Sequence, residues 1–313
     1  LPSIGQVKKK IPVEFINNLY SLFSPGIADR VLIGIGEERV TTLRVNNIKY
    51  DINSLMEYFN RINVKFERVE WYRDALIIKN AKEKDIRKLP IYCEGMIYLQ
   101  SLSSMIPPLV LKPEKGDKIL DLTAAPGSKT TQIASIIEND GFILANEVDK
   151  IRAERLKYNI LLQQALSAEV HVENGILIGD KYPEYFDKVL LDAPCSGEGR
   201  FTLEDARTYK NWSIREVKRL SKLQKKLFES AYKALKKGGI MVYSTCTLNR
   251  QENEEVIHWA AQRFDFQILN IEVNLPGTVP GFSIEDNMSI KRAVRILPSK
   301  VMEGFFICKL KKL

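Results

Sequence analysis

The sequence predicts an α/β protein: a mostly parallel sheet with a terminal antiparallel strand, preceded by a small N-terminal α+β domain. Three observations carry that reading. From about Leu109 onward, strand-like segments alternate with stretches of helix length, and connections that long make neighbouring strands parallel, with helices on both faces. The segments Ile119-Leu120, Val189-Leu190-Leu191 and Ile240-Met241-Val242 are apolar without alternation, as central parallel strands are. Before residue 105 the order is instead β-α-β-β, which divides the chain into 1–105 and 106–313.

Taken in order, Pro12–Phe23 reads as a helix, with Val13, Phe15, Ile16, Leu19 and Leu22 apolar and Pro12 where a first-turn proline is tolerated. After Ser24-Pro25-Gly26 and a second short helical stretch, the β-branched run Arg39–Val45 reads as a strand. Asp51 is placed to cap a helix to about Arg61, with Leu55, Met56 and Phe59 on one face. Strands at Val64–Val69 and Ala75–Ile78 and a charged helix near Glu83–Lys88 complete a module of the ferredoxin-like or RNA-recognition type. It lacks the aromatic strand signature of an RNA-recognition motif, so binding RNA and simply filling out the core both stay open for it. In the second domain, strands are expected at Lys118–Leu122, Gly141–Val148, Glu169–Val172, Lys188–Asp192 and Gly239–Ser244. Helices are expected at Thr130–Glu138, Lys150–Leu162 and Ser213–Lys236, and a final antiparallel pair at Ala293–Leu297 and Gly304–Lys309.

Composition narrows the function. With 45% apolar and 27% charged residues, the chain is neither disordered nor a disulfide scaffold. No apolar run approaches the roughly 20 residues that cross a bilayer, and no secretory stretch opens the sequence, so no membrane role is expected. Four cysteines without a C-x-x-C, and only His171 and His258 beside them, argue against a metal cluster. A reduced, cytoplasmic protein is the default, and a monomer is the default state. Lys and Arg number 47 against 39 Asp and Glu, for a net charge of +8; this suits a polyanionic partner without requiring one.

The loop Asp121-Leu-Thr-Ala-Ala-Pro-Gly-Ser-Lys-Thr130 joins the first strand of the second domain to its first helix, where doubly wound sheets bind ligands. Its small residues allow close backbone approach, and the helix start offers free N–H groups. It is not a Walker A loop, because Ser128 separates Gly127 from Lys129 and no glycine lies five residues earlier; G-x-G-x-x-G is absent as well. Glu147 ends the second strand about twenty residues later, where a carboxylate accepts hydrogen bonds from ribose hydroxyls. The loop therefore reads as a site for an adenosine-type ligand without a pyrophosphate, against the alternative of a plain βα turn.

Two cysteines fall on the same edge. Asp192-Ala-Pro-Cys-Ser-Gly197 follows the fourth strand and Ser244-Thr-Cys-Thr247 the fifth. A lone cysteine is usually an inert buried hydrophobe, but two at the ligand edge suggest chemistry. Asn249 and Glu252 have capping-box spacing for a helix Arg250–Phe264, whose start would stabilise a nearby thiolate.

These three segments together resemble the motifs of the RNA cytosine-5 methyltransferases, which include bacterial ribosomal RNA enzymes and archaeal and eukaryotic tRNA enzymes. The resemblance extends to Tyr98-Leu-Gln100 and Ser103-Ser-Met105 ahead of the second domain and to Gly304-Phe-Phe306 near its end. It implies a Rossmann-like methyltransferase fold, RNA as partner and S-adenosyl-L-methionine as cofactor. Thr123, Ala124, Ala125, Pro126, Gly127, Ser128, Lys129, Glu147, Arg152, Asn174 and Asp192 would surround that cofactor. It also assigns attack on the base to Cys246, assistance in release to Cys195, the N3 side of the ring to Asp192, and catalytic support or RNA orientation to Lys129. Departures are Thr123 where the family usually has Cys and Ser128 where it has Gly, both small replacements. Asn174 stands for a common aspartate and can still accept from the adenine amino group; Ser299 stands where many members have histidine.

The implied chemistry needs these groups. Cytosine C5 is too weak a nucleophile to take a methyl group unaided, and a thiolate adding to C6 turns the ring into an enamine that can. DNA enzymes of the same chemistry attack with the Pro-Cys cysteine, so the reverse assignment of Cys195 and Cys246 is the mechanistic alternative. The base must leave its stack, and Arg200, Phe201, Tyr209 and Trp212 either hold it or belong to a loop folded on its own domain. On the Ser213–Lys236 helix, Arg215, Lys218, Arg219, Lys222, Lys225 and Lys226 form a phosphate track or a solvated face. An amino-methyltransferase of adenine or guanine would carry Asn/Asp-Pro-Pro-aromatic where this chain has Asp192-Ala-Pro-Cys. A non-catalytic RNA-binding factor on the same scaffold would have no need of both thiols. With no ribosome-reading domain after residue 313, tRNA is favoured over rRNA.

Overall fold

The fold is taken from a computed structural model that describes residues 2–275, 277–285 and 287–313. Asp51 caps its helix as its position predicts, its Oδ1 accepting from the N–H groups of Asn53 and Ser54 ahead of Ile52–Arg61. That helix covers an antiparallel sheet of β1 (Thr42–Val45), β2 (Phe66–Val69), β3 (Tyr72–Ile78) and β4 (Ile97–Leu99), in the order β2-β3-β1-β4. The fourth strand is an addition to the expected β-α-β-β, since three residues are too short to show a period. The helices before it, Val13–Leu22 and Pro25–Gly36, bury Phe15, Leu19, Val31 and Leu32 away from this sheet, with Phe201, Tyr209, Leu248 and Leu297. The core of the opening helices is thus shared with residues from 201 onward.

The large sheet follows. Its strands are β5 (Lys118–Asp121), β6 (Phe142–Asn146), β7 (Ala168–His171), β8 (Phe186–Asp192), β9 (Leu235–Thr245), β10 (Phe266–Leu269), β11 (Thr278–Pro280), β12 (Val294–Ile296) and β13 (Phe305–Lys312). They run in the order β11-β12-β13-β9-β8-β5-β6-β7, with β10 pairing β13. From β9 to β7 every pairing is parallel, whereas β13 lies antiparallel to β9. The chain leaves β5 toward β6 and β7, then returns to β8 on the other side, so the strand order reverses between β5 and β8. Ligands of doubly wound sheets bind at such a reversal.

Three local features go beyond the sequence-based expectation or against it. The helix Leu102–Leu111 carries Pro107 and Pro108 within it and is nonetheless helical and almost wholly buried. Helix Ile214–Ala234 passes directly into β9 at Leu235, ahead of the expected strand start. The helix expected from Arg250 is broken: a 3₁₀ turn, Arg250–Glu252, precedes Asn253, and the α-helix runs only over Glu254–Ala261. Asn249 caps the short turn through Gln251 N–H, and Glu252 is drawn away to Ser196 and Gln224, so no capping box forms. No helix of the described residues is long and apolar enough to cross a membrane.

Behind the site edge lies a fully buried ion pair. Arg295 of β12 donates from Nε and Nη2 to both oxygens of Glu254 (2.6 and 2.5 Å) and from Nη1 to the Leu248 carbonyl (2.8 Å), between the rings of Phe23, Phe282 and Phe306. It ties the chain after Cys246 to the antiparallel strands. Removing one partner of a buried pair strands the other charge, at about 3–5 kcal/mol. Glu254→Gln is therefore expected to lower stability by that amount, read as a lower urea midpoint at unchanged slope.

Candidate active site

The strand reversal opens into a cavity of about 990 Å3. On one side, the cofactor loop leaves β5 and turns at Gly127, whose φ of +104° suits glycine and where a Cβ would lie 2.9 Å from Leu156 Cδ1. Helix Ser128–Ile136 starts immediately after. Of the residues expected to hold a cofactor, Thr123, Ala125, Pro126, Ser128, Lys129, Glu147, Arg152, Asn174 and Asp192 line the cavity. Ala124 and Gly127 do not: Ala124 is tucked under by its N–H bond to the Asn146 carbonyl (2.8 Å), and Gly127 turns against Leu156.

Glu147 is buried at the end of β6. Its Oε1 accepts from Asp149 N–H (3.0 Å), and its Oε2 lies 3.2 Å from Arg152 Nη1. Arg152 also donates to the Ala125 carbonyl (2.9 Å), so it clasps the loop to the carboxylate. Asn146, which the sequence reading missed, donates to the carbonyls of Leu122 and Glu173 while its buried Oδ1 has no partner among the described residues. An orphaned acceptor beside a carboxylate fits a ligand that brings hydroxyl or amino donors, as a nucleoside does. The only sequence signal for it was a polar residue closing an otherwise apolar strand. Asn174 Oδ1 caps the 3₁₀ turn Gly175–Leu177 through Ile176 N–H (3.1 Å), which leaves it a second lone pair to offer.

The opposite wall carries charge and sulfur. Asp192 Oδ2 takes a 2.6 Å hydrogen bond from Lys129 Nζ, and Oδ1 takes one of 2.8 Å from Ser244 Oγ. Lys129 also donates to Ser104 Oγ (2.9 Å); Ser104 and Ser244 are further site residues that the sequence reading passed over. Burial pulls the Lys129 ammonium down, but Asp192 and Asp121 outweigh it and hold its pKa above the ordinary value. Burial lifts Asp121 to about 7, against a hydrogen bond from Thr130.

Cys195 and Cys246 meet with their sulfurs 3.3 Å apart. The hydrogen bond to Cys246, then burial, push the Cys195 thiol well above its ordinary range. Arg200 lines the same cavity, and its guanidinium is held above its ordinary value first of all by the charge of Cys246. The expected helix start beside Cys246 is corrected here, because the helix begins only at Glu254 and the positive charge near the sulfur is Arg200. Gly199 N–H bonds the Cys246 carbonyl and Gly304 N–H bonds the Gly199 carbonyl (both 2.9 Å), so three loops are locked through their backbones.

Phe201, Tyr209 and Trp212 face inward rather than toward a base. Phe15 lies 4.9 Å from Phe201 and 5.6 Å from Trp212, ring to ring, and Trp212 Nε1 donates to the buried Glu198. On helix Ile214–Ala234, Arg215, Lys218, Arg219, Lys222 and Lys226 are exposed, while Lys225 lies over Trp259. The same helix contributes Leu223 and Leu227 to the cavity wall.

A nucleoside pocket at the strand reversal, with a thiol pair opposite, belongs to the S-adenosylmethionine-dependent methyltransferases that alkylate a pyrimidine carbon. The sequence profile described as 16S rRNA methyltransferase RsmB/F matches residues 108–311. The tRNA (cytosine(49)-C(5))-methyltransferase of Pyrococcus abyssi is 37% identical over 277 residues, covering 87% of this chain and 88% of that protein. Ribosomal RNA small subunit methyltransferase F of Pectobacterium carotovorum is 33% identical over 312 residues; the match takes in 96% of this chain but 63% of that protein, so the chain spans under two thirds of it. The crystal structure of a methyltransferase homolog from Pyrococcus horikoshii, 32% identical, superposes with a TM-score of 0.86 and full coverage of both chains. The chain belongs to the RsmB/F family, and its class is that of the S-adenosylmethionine-dependent RNA cytosine-C5 methyltransferases.

Two outcomes follow from the site. Glu147→Ala is expected to weaken S-adenosylmethionine binding by more than about tenfold in calorimetry, because a buried acceptor for ligand hydroxyls is lost. Asp121 and Glu198 hold protons in the fold up to about pH 7, whereas their ordinary values are 3.8 and 4.5. The unfolded chain therefore binds fewer protons across that window, and stability falls as pH rises through it. Asp121→Asn is expected to flatten this fall, measured by urea midpoints across the same range.

Proposed function

We propose that the protein methylates C5 of a cytosine in tRNA through a transient bond between Cys246 and C6 of the ring. The observation that carries this reading is the thiol pair, 3.3 Å apart in one cavity with the cofactor loop. S-adenosylmethionine supplies an electrophilic methyl group on its sulfonium when bound. The thiolate of Cys246, with the Arg200 cation beside it, adds its electron pair to C6, and C5 becomes the nucleophile. Asp192, balanced by Lys129, faces the N3 side, where charge develops as the ring loses aromaticity. After methylation a base in the site takes the C5 proton, the C5–H pair re-forms the C5=C6 double bond, and the Cys246–C6 bond breaks with its electron pair returning to sulfur.

Cys195 fits the releasing role. Its sulfur lies 3.3 Å from that of Cys246, where it can assist release directly, by taking the C5 proton, or by positioning a base that does. The N-terminal module adds Arg87, Tyr92 and Tyr98 to the cavity wall, which supports a part for residues 1–105 in holding RNA. The Pyrococcus abyssi relative, matched over nearly its whole length, supports tRNA as the substrate. Four free cysteines suit a reducing, cytoplasmic setting.

Cys246→Ala is expected to abolish methyl transfer, and Cys195→Ala to leave a denaturant-resistant protein–RNA adduct visible on a gel. A Cys195→Ala protein that turns over normally and traps nothing would refute this division of roles. Bisulfite sequencing after incubation with total RNA is expected to find new 5-methylcytosine in tRNA; its appearance in rRNA alone would overturn the substrate.

A further inference from the structure

Arg44 is fully buried, at 0% exposure, yet no ion pair reaches it among the described residues. An arginine keeps its charge, so burying this one requires hydrogen bonds that replace water. It stands on β1 of the N-terminal sheet and crosses into the catalytic half. Its Nη2 donates to Thr131 Oγ1 (2.8 Å) and to the Ser128 carbonyl (3.0 Å), and its Nε donates to Gln100 Oε1 (2.8 Å). The guanidinium lies 5.1 Å from the Tyr98 ring, and Nη1 has no partner among the described residues.

The groups it grips are those that set the cofactor helix. Ser128 and Thr131 form its first turn, and the Thr131 hydroxyl donates in turn to the carbonyl of Gly127, the loop's left-handed residue (2.7 Å). Gln100 reaches Gln132 (3.0 Å) and Ser104 (3.5 Å), and Ser104 receives Lys129. One chain of hydrogen bonds thus runs from β1 to both the cofactor turn and the Lys129–Asp192 pair. We propose that Arg44 is a positioning residue for methyl transfer, fixing the start of the cofactor helix and making the N-terminal module a working part of the cofactor site. This rests on the cofactor assignment above, and its deciding measurement, cofactor affinity, needs no RNA, so a wrong RNA substrate would leave it standing.

Arg44→Lys keeps the charge and loses the fork of donors, whereas Thr131→Val removes the acceptor from the other side. Each is expected to raise the dissociation constant for S-adenosylmethionine about tenfold in calorimetry, and the double variant by less than the product of the two, because both break the Arg44–Thr131 contact. In turnover, KM for S-adenosylmethionine is expected to rise with little change in KM for RNA. A merely structural role would lower the melting temperature and leave cofactor affinity per folded molecule unchanged. The inference is overturned if both folded variants bind the cofactor like the wild type, or if their effects multiply. Should Arg44→Lys fail to fold, Arg44→Gln, which leaves the Thr131–Gly127 bond in place, decides by the same affinity measurement.

Discussion

The site depends on a register. In the parallel core, Asp121 of β5 pairs with Leu190 of β8, and Asp192 of β8 pairs with Ser244 of β9. That alignment ends three strands at one level, so the cofactor loop, the Pro-Cys turn and the thiol turn open on the same edge. A slip of one residue would turn alternate side chains to the opposite face, taking Asp192 from both Lys129 and Ser244. The buried apolar faces of these strands, which fix the register, are thereby also what brings two sulfurs together from positions far apart in the chain.

Beneath the thiols the protein places acids rather than cations. Glu252 accepts from Ser196 N–H, Ser196 Oγ and Gln224, and Glu198 accepts from Trp212 and Asn249. These neutral donors tie the two cysteine turns together without placing positive charge behind the sulfurs. The cations at the reacting edge, Lys129 and Arg200, instead stand on the cavity wall where a substrate can meet them. Burial without a counter-charge raises both glutamates above their ordinary values.

The sequence announced the large sheet and the motif-bearing turns clearly, because unbroken apolar runs such as Val189-Leu190-Leu191 admit few other uses. It was silent where structure depends on distant partners. The break at Asn253 follows from Glu252 bonding to Ser196 and Gln224, residues that no local pattern links to it. The inward turn of Phe201 and Trp212 follows from Phe15, nearly two hundred positions earlier. Short strands such as β4 lack a period, and Pro107 and Pro108 disguise a buried helix. Arg44 sat in a correctly read strand, but a charged residue there gives no sign that it is enclosed. Asn146 and Ser104 were invisible for a similar reason: their importance lies in what they face.

The shared core of the leading helices sets how the molecule can be cut. Phe15, Leu19 and Leu32 are the apolar cover of Phe201, Tyr209 and Leu297, so they serve the catalytic half although the small sheet separates them from it in sequence. A fragment begun at the linker before β5 would bare that face to water and invite aggregation. Any exchange of segments between relatives must therefore carry these opening helices along with the catalytic half.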